Sequence, residues 1–221
     1  MHRISIQGGE FSKAQDDTDT TLTTLDVVIV DAGPVSRSYY AGEFNPQFTK
    51  APTCWSVDTQ RPAAEVPEDQ KQSSRCMDCS YNIRGSGAKG GRACRFYQRL
   101  AVVEESDFDT VYQLQVPASS IFGKEASKGS MSLQTYAKFL SGHGTSSMAV
   151  VTRISFDENS NVPKLFFYPR RALEEEELET IRLLVDRDDV LEAITTSFVA
   201  ESLFNVTEGF NINSQSGDQH G

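Results

Sequence analysis

The chain has 221 residues with a net charge of −10, and 38% of its residues are hydrophobic, enough for a packed core in one domain with additions. No apolar run approaches the roughly 18–20 residues that span a bilayer, and the N-terminal stretch MHRISIQGGEF lacks a signal peptide's apolar segment, so the expectation is a soluble protein of the cytoplasm with no membrane partner. Only three histidines are present, with His2 and His220 at the ends and His143 between two glycines, which disfavours histidine-based catalysis.

Residues 8–24 are polar and read as a loop. The β-branched run Leu25–Ala32 (LDVVIVDA) predicts a strand. An irregular, proline-punctuated stretch follows over 43–94 and holds all four cysteines; a loop of that length inside a domain reads as a functional insertion. Strands are predicted at 94–104 and 109–117, a helix at 131–141 ending at Gly142, and strands at 148–157 and 163–169. Two acidic helices are predicted at 172–185 and 188–198, before a polar end expected to be mobile. Five strands with one helix between the third and fourth is the order of an oligonucleotide/oligosaccharide-binding (OB) barrel. The expected fold is therefore mainly β: a five-stranded OB-type barrel with a long zinc-stapled insertion after its first strand and two C-terminal helices. Its parts are 1–42 and 95–170 for the barrel, 43–94 for the insertion, 171–199 for the acidic helices and 200–221 for the tail.

Cys54, Cys76, Cys79 and Cys94 fall within 41 residues at the spacing C-x21-C-x2-C-x14-C. Four thiolates complete a tetrahedral zinc shell, and the Cys76–Cys79 pair has the spacing that brings two sulfurs to one metal. The flanking polar, glycine- and proline-rich sequence can bury little apolar surface and needs a staple. Free or redox-active thiols and disulfides are the alternatives. A closed shell of four thiolates leaves no open position for water, so such a zinc is structural.

Charge is unevenly placed. Residues 75–99 carry six basic side chains against Asp78 alone, whereas 172–221 carry twelve acids against Arg182 and Arg187, which points to two separate electrostatic roles. Alternation along the strands puts Arg95, Tyr97 and Arg99 on one face, Lys164, Phe166, Tyr168 and Arg170 on another, and Arg153 opposite Val150, Thr152 and Ile154. Aromatic rings stack on unpaired bases of any sequence while Arg and Lys track phosphates, so these faces predict a single-stranded nucleic acid groove. The contrary reading is that the C-terminal helices cover the aromatic face. The glycine-rich run 85–91 reads as a mobile basic loop, with Arg84, Lys89 and Arg92 closing over the strand. Trp55 and Tyr81 either stack on bases or roof the metal, and Arg37 and Tyr39 form a further contact group.

CWSVD at 54–58, CMDC at 76–79, GGRACRFYQRLAVV at 90–103, VYQLQVPASSIFG at 111–123 and VVTRISFD at 150–157 together resemble phage-type single-stranded-DNA-binding proteins. The resemblance implies an OB barrel, sequence-tolerant binding of unpaired DNA in viral replication, recombination or transcription, no enzymatic activity, and recruitment of replication or transcription proteins by an acidic C-terminal region. The chain departs from that pattern because its acids concentrate at 174–192, where helices could also mediate homo-oligomer formation. The competing reading is a protein-interaction module, such as a viral regulator that binds a polymerase or another host protein.

Overall fold

The computed structural model describes residues 1–15, 18–42, 51–123, 130–196 and 198. The expected mobile tail at 200–221 lies outside these residues. One curled, half-barrel sheet dominates, and no helix among the described residues is long and apolar enough to cross a membrane. Where the sequence predicts five strands, the described residues form ten: β1 (His2–Gln7), β2 (Glu10–Gln15), β3 (Thr18–Leu22), β4 (Thr24–Ala32), β5 (Ser36–Tyr39), β6 (Cys54–Ser56), β7 (Arg95–Glu104), β8 (Asp107–Pro117), β9 (Val150–Phe156) and β10 (Leu165–Ala172). Their order is β10-β9-β4-β7-β8-β1-β2-β3, with β5 bridging β6 and β7.

The five predicted strands correspond to β4, β7, β8, β9 and β10. The extra N-terminal strands correct the loop predicted at 8–24. Gly8 and Gly9 both take positive φ, 61° and 86°, and turn β1 back on β2 in antiparallel register. Among the described side chains of β1 and β2, only Ile4 and Phe11 are buried, so the hydrophobic signal is thin and the polar sequence hides a paired ribbon.

β4 shows why the central strands read so clearly. Leu25, Val27 and Ile29 point into the curl, while Val28 and Val30 point outward beneath the C-terminal helices. A strand covered on both faces needs an unbroken apolar run. A bulge between Ile29 and Asp31 gives β4 one residue more than β7 and sharpens the bend. The inner core continues through Leu100, Val102, Leu114 and Ile154, and the curl brings the Phe11 and Phe156 rings to 4.5 Å.

α1 (Ala118–Ile121) and α2 (Leu133–Gly142) plug the concave side. Leu133, Tyr136 and Leu140 fall three and four residues apart and face the core, and the Tyr136 hydroxyl meets Thr152 Oγ1 at 2.7 Å. Met131, predicted at the start of this helix, instead forms a bridge to Phe167.

α3 (Glu175–Leu184) and α4 (Asp188–Ile194) pack on the convex face through Ile181, Leu184, Val190 and Ala193. Small Ala101 on β7 makes room there, and a β-carbon at Gly33 would collide with the carbonyl of Ile194 at the end of α4. Arg171 clamps α3 to the sheet through Glu177 at 2.7 Å and Glu105 at 2.7 Å. The Arg171 hydrogen bonds, helped by the Glu174 amide, hold the Glu177 carboxyl down to about 2. A depressed carboxyl stabilises the fold above its unfolded value near 4.5, and that contribution fades as pH falls toward 2. Glu177→Gln, which keeps the backbone cap, should therefore lower stability at pH 7 by roughly 0.5–1 kcal/mol, with the partly exposed setting keeping the effect small. Urea midpoints of the two proteins should converge at pH 2; a gap that persists there would show that charge is not the cause.

Candidate functional site

The cysteine region between β5 and β7 is built on few apolar contacts. Its own core is Cys54, Trp55, Ala63 and Val66, with Tyr39 and Phe198 against it. Cys54 opens β6 and pairs with Tyr39 of β5; Cys76 starts a short 3-10 turn that Cys79 closes; Cys94 sits just before β7 with its amide donating to the Tyr81 carbonyl at 2.9 Å. All four are buried free thiols that line one cavity of about 20 Å³. Among the described residues no three Cys, His, Asp or Glu side chains are grouped so as to hold a metal ion. Four thiols are the donor type that tetrahedral structural zinc sites use in general. Burial pushes the Cys94 thiol up to about 12 against the pull of Arg37.

The glycine-rich run predicted as a mobile loop is folded by its own backbone: the amides of Gly85 and Gly87 both donate to the Gly91 carbonyl, at 2.9 and 3.0 Å. Arg84 and Arg92 are exposed on it, and Arg92 Nε donates to the Asn82 carbonyl at 2.6 Å. The side chain of Lys89 lies outside the described residues. Arg95, at the start of β7, is exposed.

Tyr97 and Arg99 need correction. Alternation places them on the convex face as predicted, yet they are only 3% and 7% exposed. The chain leaving α4 covers them: Arg99 donates to the Thr195 carbonyl and lies 5.3 Å from the centre of the Phe198 ring, and neighbouring Gln113 donates to the Ala193 carbonyl at 2.7 Å. The reading in which the C-terminal segment covers an aromatic face holds for this pair. Trp55, Tyr81, Arg37 and Tyr39 also serve the interior of the cysteine region. Trp55 packs edge-on to Phe198 at 5.3 Å, Tyr39 stacks on Tyr81 at 4.0 Å, and Arg37 lies 4.1 Å over the Phe96 ring.

The β9–β10 face is different. Tyr168 is 49% exposed and pairs across the ladder with Arg153, while half-buried Phe166 pairs with Ser155. Leu165 and Phe167 turn into the core, so the strand holds the two outer rings on a rigid edge. Lys164 Nζ lies 4.7 Å over the Phe166 ring and pairs with Asp157 at 2.7 Å. Arg153 reaches Asp26 through two hydrogen bonds of 2.8 and 2.5 Å, which hold the Asp26 carboxyl below its usual range. Arg170, 45% exposed at its side chain and 4.0 Å from Asp26, completes three bases against two acids. Arg170 belongs to the same alternating set, as the sequence predicts, and sits at the bulge between Pro169 and Arg171.

The predicted single groove is thereby divided. Register puts Asp26 beside Arg153 and Val27 beside Glu104, nine residues along β7 from Arg95, so the β9–β10 patch and the Arg95 end of β7 lie roughly 30 Å apart along the strand at about 3.3 Å per residue. α3 and α4 occupy the face between them. A cleft of about 400 Å³ absent from the sequence reading opens where β1 and β8 stop pairing after Ile4 and Leu114, lined by Arg3, Ser5, Gln113 and Gln115. It depends on a parallel contact between strands about a hundred residues apart, which no local pattern announces.

Compared with protein-family models, curated proteins and solved structures, the chain matches none.

Proposed function

We propose that this chain is a non-enzymatic, sequence-tolerant single-stranded-DNA-binding protein of the kind that serves DNA replication, recombination or transcription. The observation that carries the reading is the open β9–β10 face, where Phe166 and Tyr168 alternate on one strand between Lys164, Arg153 and Arg170. Rings at alternate strand positions stand roughly 7 Å apart, enough to stack two unstacked bases, and the bases around them meet phosphate. The path β8-β7-β4-β9-β10 supports the finer fold reading, because it runs the five predicted strands in OB order. The outer edge of β8, which closes an OB barrel against the fifth strand, pairs here with β1. Cys54, Cys76, Cys79 and Cys94 hold a structural zinc ion that orders the insertion, and exposed Arg84, Arg92 and Arg95 add phosphate contacts at the far end of the sheet.

Photocrosslinking of a bromouracil-substituted oligonucleotide, read by peptide mass spectrometry, tests this. Crosslinks on the 164–170 peptide are expected; a folded protein that crosslinks nowhere on β10 would overturn the placement. A second reading, a protein-interaction module, draws on Leu183 and Leu191, which are 79% and 48% exposed on the acidic helices. It predicts no crosslinks at all and a partner that is lost on Leu183→Asp.

A further inference from the structure

The seam between β1 and β8 gathers positive charge beside a cleft of ligand size. β1 follows β8 in parallel register for three residues, with Arg3 beside Gln113 and Ile4 beside Leu114, and then leaves it. Pro117 has no amide hydrogen to donate, so the ladder cannot zip to the end of β8. The opening that results measures about 400 Å³, within the roughly 300–1,000 Å³ typical of small-molecule sites. Ile6, Pro117 and Pro163 give it an apolar lining, and Arg3, Ser5, Gln113 and Gln115 a polar one. Gln113 Nε2 is committed to the Ala193 carbonyl at 2.7 Å, which leaves its oxygen as an acceptor. Gln115 is exposed, and its amide makes no hydrogen bond among the described residues.

Register sets Arg99 of β7 beside Gln115 on the same face. Neither Arg3 nor Arg99 pairs with a carboxylate among the described residues. Arg99 Nη1 donates to the Thr195 carbonyl, but Nε is buried without a partner, as is the Tyr97 hydroxyl. Burial and the charge of Arg3 both pull the Arg99 guanidinium below its ordinary range. Two guanidiniums that repel each other across a row of neutral side chains favour an anion held near both. A plain oxyanion would leave the apolar lining and the Gln113 acceptor unused. A side-chain amide presents donor and acceptor in one plane, which matches the edge of a nucleobase.

We propose that the β1–β8 cleft binds a phosphorylated nucleoside, with the phosphate on Arg3 and the base between the Gln113 and Gln115 amides and the Ile6, Pro117 and Pro163 lining. Arg99 acts from beneath through its field, without touching the ligand. The site is separate from the β9–β10 face and does not rest on it. Two sources share this chemistry: a free mononucleotide and the phosphorylated end of a strand.

Isothermal calorimetry of the full chain with deoxyadenosine 5′-phosphate, deoxyadenosine and inorganic phosphate tests the site. The nucleotide should bind more tightly than either of its parts. Arg3→Gln should weaken it about tenfold or more, since hydrogen bonds between charged groups are the strong ones, and Gln115→Ala should weaken it several-fold. Both side chains are exposed, so the variants should keep the wild-type circular dichroism. Phe166→Ala combined with Tyr168→Ala should leave nucleotide binding unchanged, which separates failure here from failure of the β10 reading. Oligonucleotides with and without a 5′-phosphate distinguish the sources. A phosphate-dependent gain that Arg3→Gln abolishes assigns the strand end, and no such gain beside nucleotide binding assigns the free mononucleotide. No nucleotide binding at millimolar concentration, or affinity within twofold of wild type in both variants, would overturn the site. Phosphate binding as tightly as the nucleotide would overturn its nucleoside part.

Discussion

Replacing Phe166 and Tyr168 together by alanine should lower affinity for a single-stranded oligonucleotide roughly 30-fold or more. Each stacked ring is worth about 1–3 kcal/mol, and about 1.4 kcal/mol is a factor of ten. The loss should be specific to binding. Both side chains stand on the outer face, whereas Leu165 and Phe167, which alternate with them, carry the packing of β10 and stay in place. Thermal unfolding of the double variant should therefore stay close to wild type. Fluorescence anisotropy checks the affinity, and an unchanged value in the folded variant would remove β10 from the site. Tyr97→Ala should behave in the opposite way, since Tyr97 is buried beneath the chain that leaves α4: stability should fall, with little direct effect on DNA.

Removing the proposed zinc is expected to have an equally large effect, confined to the insertion. Among the described residues, the apolar cluster of the cysteine region has four buried members, while the inner core shared by the sheet, α1 and α2 has nineteen. Structural zinc contributes on the order of 10–16 kcal/mol in isolated zinc-finger peptides, more than such a small cluster supplies. Chelation, or Cys79→Ser, should thus unfold the insertion and spare the curled sheet. The chain supplies its own probe, because its single tryptophan, Trp55, is buried within that cluster. Trp55 emission should shift to the red on chelation and recover with zinc, and trypsin should then cut after Lys71, Arg75 or Arg84 before it reaches the sheet. Emission that ignores both chelator and zinc would contradict a metal-dependent insertion.

What was legible in the sequence was what local periodicity encodes. β4, β7, β8, β9, β10 and α2 fall where alternating or three-to-four spacing places them, because each element buries its own face. The ribbon β1–β2–β3 escaped because, among its described side chains, only Ile4 and Phe11 are buried, and its strongest signal is the Gly8-Gly9 turn. The site was legible in the direction of its side chains and obscure in what covers them. Alternation correctly turned Tyr97 and Arg99 outward, but the contacts with Thr195 and Phe198 come from almost a hundred residues away. Arg37 likewise looked like one more basic residue near aromatics, and only the pairing of β5 with β6 and β7 turns it toward the cysteines.

The central claim is tested most directly by anisotropy titration of single-stranded and duplex DNA of equal length, at two salt concentrations, with the zinc-loaded full chain. The account predicts preference for the single strand and an affinity that falls as salt rises, since the bases around Tyr168 release counterions from phosphate. Equal or absent binding of both DNAs at low salt, by a folded protein, would contradict it.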